Sequence, residues 1–205
     1  MKISATALST LITTAVASPP SSHHPTYKPN NTTTPSSCPA TLPPSFIYPN
    51  LIIPISAAHP TTAYGTVYSP LITPNDFCTI FNLYIPPSAH NKTCTLSFLF
   101  PEQHQLETSS YSYSGAGHFS FTGFPSGVGA TTSTTWNTRP AGGGNPPSAP
   151  SVIRPGNAYV INRGGCEVRE WEYLLVSGMM CSNDTRLEYF QDYNPCPIGL
   201  YVTVS

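Results

Sequence analysis

Prolines interrupt this chain so often that few long helices can form in it. There are 24 among 205 residues, and each one inside a helix would remove a backbone hydrogen bond and clash with the preceding turn. Helical periodicity is accordingly hard to find, while period-two alternation recurs. In "TCTLSFLF" (93–100) Cys94, Leu96, Phe98 and Phe100 share one face, with Thr93, Thr95 and Ser97 on the other. In "FCTIFNLYI" (77–85) both faces are fairly apolar, which predicts a central strand. "GHFSFTGF" (117–124) and "IGLYVTV" (198–204) alternate too. Further strands are expected at 51–55, 63–68, 131–136, 158–162 and 168–176, and Tyr111 and Tyr113 share the face of another. Turns are expected at Pro86-Pro87, Ser114-Gly115, Gly164-Gly165 and Ser177-Gly178. Many short strands with Gly/Pro punctuation indicate an all-β antiparallel sandwich, jelly-roll or Ig-like, with little helix.

The first 17 residues read as a secretory signal peptide: Lys2, then a modestly apolar run from Ala5 to Val16, then the small-x-small pattern Ala15-Val16-Ala17. No later stretch has the ~18 apolar residues that a membrane span needs. The last residues resemble a strand and carry no glycolipid-anchor signal. The expectation is an exported, extracellular protein without a transmembrane span. Residues 18–45, rich in Pro, Ser and Thr, read as an extended stalk with too little apolar surface to offset its ordering entropy. His23 and His24 in that stalk are read as solvated. Residues 46–205 form one domain, and "RPAGGGNPPSAPS" (139–151) is a long surface loop within it.

In an oxidising compartment, the six cysteines (Cys38, Cys78, Cys94, Cys166, Cys181 and Cys196) predict three disulfides. Spacing leaves their connectivity open. A Cys78–Cys94 pair would close a short loop worth about 3 kcal/mol. No CxxC is present, so neither a zinc site nor a redox pair is expected. N-x-S/T sequons at Asn30, Asn31, Asn91 and Asn183 are glycan acceptors in such a chain. Charged residues make up only 8% of the sequence, with a formal net charge of −1. That excludes a nucleic-acid partner, which needs clustered Lys and Arg.

Catalytic patterns are sparse. "CEVREWEYLLV" (166–176) sets Glu170 and Glu172 about 6.6 Å apart on one side of a strand, within the range of a glycosidase pair. Neighbours on one strand point the same way, so they are read as a solvated face, with Trp171, Tyr173 and Leu175 on the core side. No G-x-S-x-G elbow occurs. His59, His90, His104 and His118 lack metal-ligand spacing, and Gly142 to Gly144 lead into no phosphate loop. No catalytic residue, metal or cofactor is assigned. Asp192 is read as a turn or capping acid that helps to fasten the end of the chain. Tyr111, Tyr113 and Trp136 are candidate ligand-binding residues, because planar aromatics beside amides and hydroxyls suit sugar rings.

Three segments carry a resemblance: "YIPPSAHNKTCTLSFLFP" (84–101), "SYSYSGAGHFSF" (110–121) and "YFQDYNPCPIGLYV" (189–202). Over about 46–204 the chain resembles the fungal But-type C-terminal domain family, named for a protein reported to bind an activating enzyme for a ubiquitin-like modifier. Many members look like secreted fungal surface or cell-wall proteins, and the resemblance brings no catalytic residues. The expected function is therefore a secreted, non-catalytic cell-wall or surface module, structural or adhesive, with wall polysaccharide or a surface protein as partner. An extracellular carbohydrate-active enzyme is the alternative. A protein-binding module for a ubiquitin-like-activating enzyme is a weaker one.

Overall fold

The structure, a computed structural model, describes residues 37–144 and 146–205. The signal peptide, most of the stalk, His23, His24, Asn30 and Asn31 lie outside the described residues. Ten strands follow in chain order: β1 (Leu51–Ser56), β2 (Leu71–Ile72), β3 (Phe77–Ile85), β4 (Thr93–Phe100), β5 (Tyr111–Ser114), β6 (Ser120–Gly123), β7 (Asn157–Gly165), β8 (Leu174–Cys181), β9 (Arg186–Tyr189) and β10 (Gly199–Val204). Among the described residues, helix is confined to two 3-10 turns, Pro87–Ala89 and Gln103–Gln105.

The strands form a four-stranded sheet β1-β3-β8-β6, a three-stranded sheet β10-β4-β7 and a small sheet β2-β9-β5. All their strand pairings are antiparallel. The two larger sheets enclose the main core. Ile52, Phe81, Leu83 and Met180 come from one, and Phe98, Phe100, Ile161, Leu200 and Val202 from the other. The small sheet adds Ile72, Leu187 and Tyr189 to this core. Tyr189 meets Phe98 edge-on, with ring centroids 5.6 Å apart. The fold is thus the all-β, disulfide-bonded antiparallel sandwich that the alternation predicts.

Strand β3 is interior to its sheet, as its two apolar faces require. Its second face, with Ile80 and Cys78, joins Ile53, Ile55 and Ala130 in a separate core. Asn82 on β3 fastens the covering segment there. Its Nδ2 donates to the Ala130 carbonyl at 2.9 Å, and its Oδ1 accepts from the Ala130 N–H at 3.0 Å. The Ser177 hydroxyl donates to the same Oδ1 at 2.7 Å. A buried amide is tolerated here because its partners replace water.

All six cysteines are paired, as Cys38–Cys196, Cys78–Cys181 and Cys94–Cys166. The short Cys78–Cys94 loop does not form. Cys78 faces the second core, whereas Cys94 packs against the main one. The β3–β8 register, with Thr79 opposite Met180, instead brings Cys78 level with Cys181 on the neighbouring strand, with Cα atoms 4.5 Å apart.

Several local expectations fail for identifiable reasons. Residues 63–68 form no strand. Residues 131–136 form successive turns, because Thr134 and Thr138 hydroxyls accept the N–H groups of Thr131 and Thr135. Such side-chain bonds compete with a sheet ladder. Only the end of 168–176 is strand, from Leu174 onward. Gly164-Gly165 form the end of β7 and Ser177-Gly178 lie inside β8, so neither pair is a turn. The short strands β2 and β9 are not among those expected: two residues are too few to show alternation, and "RLEY" alternates over only four.

Candidate functional site

The two large sheets do not close along the side where β6 and β7 run. A cleft of about 420 Å³ opens between them. Its position follows from register. Along β8, Val176, Gly178 and Met180 share the inward face, and Gly123 of β6 pairs with Gly178. Two adjacent inward positions therefore lack side chains. Across the gap, Asn162 and Gly164 of β7 pair with Leu96 and Cys94 of β4, which face the core. A Cβ at Gly164 would meet no atom within 4 Å, and one at Gly123 would only touch Pro147 at 3.9 Å. Glycine inside a strand marks a bulge or a place where something else approaches. Here it leaves space.

The cleft floor is apolar, with Phe81, Leu83, Leu96, Phe121, Ile161 and Met180. The lining includes few polar groups, among them Thr122, Ser126, Asn162 and Glu167. Among the described lining residues Glu167 is the single ionisable one, and it takes a left-handed φ of 54° just after the Cys166 bridge. At ~24 cal/mol per Å³ a dry void of this size would cost on the order of 10 kcal/mol, comparable with the whole stability of a domain. The cleft opens to the surface, so it is not a closed void of that kind.

A second feature is a cluster of rings near the Cys38–Cys196 bridge. Phe46 lies 6.2 Å from Tyr48, 5.8 Å from Tyr193 and 5.7 Å from Tyr201. Tyr48 and Tyr193 are 6.1 Å apart and are 52% and 57% exposed. Tyr201 anchors the cluster from below: it is buried, and its hydroxyl donates to the carbonyls of Asp192 and Ile198. Burial pushes its phenol well above the ordinary range, reinforced by the nearby Asp192. Sequence reading missed this cluster because its members lie about 145 residues apart, roughly at the two ends of the domain.

Of the candidate ligand-binding residues, Tyr111 and Tyr113 meet on one core ring and Trp136 lies apart from them. Tyr111 and Tyr113 pack edge-on against Phe100, at 4.9 and 5.5 Å. Burial raises both phenols. Trp136 helps to cover the second core, with the Arg139 guanidinium 4.0 Å over its ring. Trp171 and Tyr173, expected on a core face, are 76% and 65% exposed. They precede β8, in a segment tied down by an Arg169–Glu172 ion pair, so no sheet pleat orients them. Glu170 lies 3.6 Å from the His90 imidazole and Glu172 pairs with Arg169, so the two carboxylates turn to different partners.

Asp192 is buried and structural. Its Oδ1 accepts from the Asn194 backbone N–H at 3.1 Å and the Asn194 amide at 2.9 Å, and its Oδ2 accepts from the Thr108 hydroxyl at 2.5 Å. His118 and Asp184 form a pair at 2.5 Å that sequence did not reveal, since 66 residues separate them. The Thr185 hydroxyl and His118 hold the Asp184 carboxyl below the usual carboxylate range. The Thr185 hydroxyl donates to Asp184 rather than to the imidazole, so the group lacks a Ser-His-Asp relay. Among the described residues no three His, Cys, Asp or Glu side chains converge as a metal site. Asn91 and Asn183 are both exposed.

Fold and cleft together define a disulfide-bonded, all-β antiparallel module with an apolar opening between its sheets. Over residues 47–195 the chain matches the family described as "Ubiquitin 3 binding protein But2 C-terminal domain", and it belongs to that family. The match covers β1 to β9 and stops before β10. Among curated proteins and solved structures, none matches this chain.

Proposed function

We propose that the chain is an exported, non-catalytic module of a cell wall or cell surface, structural or adhesive, that meets polysaccharide through exposed aromatic rings. The observation that carries this reading is the Phe46–Tyr48–Tyr193 cluster, whose rings lie about one sugar-ring width apart beside a covalent bridge. Rings held at fixed spacing stack on sugar faces with little ordering cost. Three disulfides and two exposed sequon asparagines support the export route. Among the described residues no helix is long and apolar enough to cross a membrane.

The test is retention of the oxidised protein on insoluble chitin and β-glucan. Wild type is retained, and Tyr48→Ala/Tyr193→Ala loses retention while Trp136→Ala keeps it. Release of reducing sugar would make the chain an enzyme instead. The family description favours a second reading, a ubiquitin-pathway partner. Against it stands the cytosolic thiol pool, which keeps such cysteines reduced. Capture of a ubiquitin-like-activating enzyme by the oxidised protein, with no polysaccharide retention, would favour that reading.

A further inference from the structure

We propose that the cleft between the two large sheets binds a small amphiphile with one aliphatic chain and a non-anionic head. This goes beyond the wall-binding reading and does not depend on it, since the exposed rings lie elsewhere on the surface.

Three observations point to this ligand. The first is volume: about 420 Å³ falls within the range of small-molecule sites, ~300–1,000 Å³. The second is the wall. Phe81, Leu83, Leu96, Ile161 and Met180 offer no hydrogen-bonding groups, so the buried part of a ligand must be hydrocarbon. The third is charge. Among the described residues no Lys, Arg or His lines the cleft, whereas Glu167 does. A carboxylate or phosphate head would find no cation and would face a like charge. A hydroxyl head has partners in Asn162, Ser126 and Glu167.

The site is built by specific absences. Gly123 and Gly178 are cross-strand partners on the inward face, and Gly164 faces them from the other sheet. Any ordinary strand residue at these places would fill the gap. The Cys94–Cys166 bridge forms part of the wall and fixes β4 to the segment bearing Glu167. The bridge thus stiffens the wall that β4 and β7 form.

Decan-1-ol and decanoate are the probes, titrated into the oxidised full chain above neutral pH by calorimetry. Decan-1-ol binds saturably with one site, and decanoate binds at least about tenfold more weakly. Gly164→Leu and Gly123→Val each abolish decan-1-ol binding. Both positions accept a Cβ without a close contact, and an unchanged circular-dichroism spectrum verifies folding. Glu167→Lys reverses the preference, so that decanoate becomes the tighter ligand. The lysine keeps the Cβ already tolerated at that φ, so this variant reports charge rather than strain. Failure of wild type to bind decan-1-ol saturably overturns the proposal. So does undiminished binding in both folded glycine variants, or an unchanged preference in Glu167→Lys.

Discussion

Asn82 carries more of the architecture than its size suggests. Its amide is 4% exposed and holds both backbone groups of Ala130, which attaches the covering segment to the outer face of β3. Asn82→Ala leaves those groups and the Ser177 hydroxyl short of partners, and stability falls by about 2–3 kcal/mol in urea melts. Two carboxylates give the molecule its acid response. The Ser56 hydroxyl and the Ala58 N–H hold Asp76 below its ordinary range, and Thr185 and His118 do the same for Asp184. A depressed folded-state pKa stabilises above the unfolded value and is lost as pH falls through the folded one. Thermal midpoints therefore stay level from neutral pH to about pH 5 and drop below about pH 4. Asp76→Asn flattens part of that drop, and an unchanged profile in this variant would remove Asp76 from the account.

At the scale of elements, the last strand shows how the chain end is fastened. β10 begins at Gly199, whose φ of 116° is closed to ordinary residues. An added Cβ would collide with Gln191 Oε1. That same amide holds Leu200 from both sides, accepting from its N–H at 3.1 Å and donating to its carbonyl at 3.0 Å. Gly199→Ala thus displaces the clamp as well as straining the backbone, and costs about 2–4 kcal/mol in denaturant melts. Gly164→Ala, in open space, changes stability by less than about 1 kcal/mol. The alternation of "IGLYVTV" made β10 visible in the sequence. The clamp was not visible, because Gln191 reads as an ordinary polar residue until the chain turns at Asp192.

Across the whole molecule the disulfides act on different parts. Cys78–Cys181 staples the paired strands β3 and β8, and Cys94–Cys166 ties β4 to the residue just past its neighbour β7. Cys38–Cys196 spans 158 residues and ties residues 38–42 to the end of the chain. Residues 40–42 run beside Leu99 and Tyr201 on the outer face of the β10-β4-β7 sheet. Loop-closure entropy predicts up to about 5 kcal/mol for so long a loop. In Cys38→Ser/Cys196→Ser the melting temperature falls, and limited proteolysis cuts before Phe46 while leaving the strands whole. Cleavage inside β3 or β4 at the same protease dose would show that this bridge supports the core itself.

The sequence by itself determined the class of fold, since proline density leaves little room for long helices and period-two alternation is buried by packing sheet faces together. It determined which cysteines exist to be oxidised, and it made the family resemblance legible in "NKTCTLSFLFP". Tertiary structure alone decided the pairing of those cysteines, because pairing depends on which strands become neighbours. It also decided that Trp171 and Tyr173 face outward, whereas Tyr111 and Tyr113 pack on Phe100. The cleft belongs to the same category. Gly164-Gly165 and Ser177-Gly178 look like turns in one dimension, and they become an opening only when two sheets set missing side chains face to face. Local patterns record how a residue treats its own neighbours, but a cavity is a relation between strands far apart in the chain.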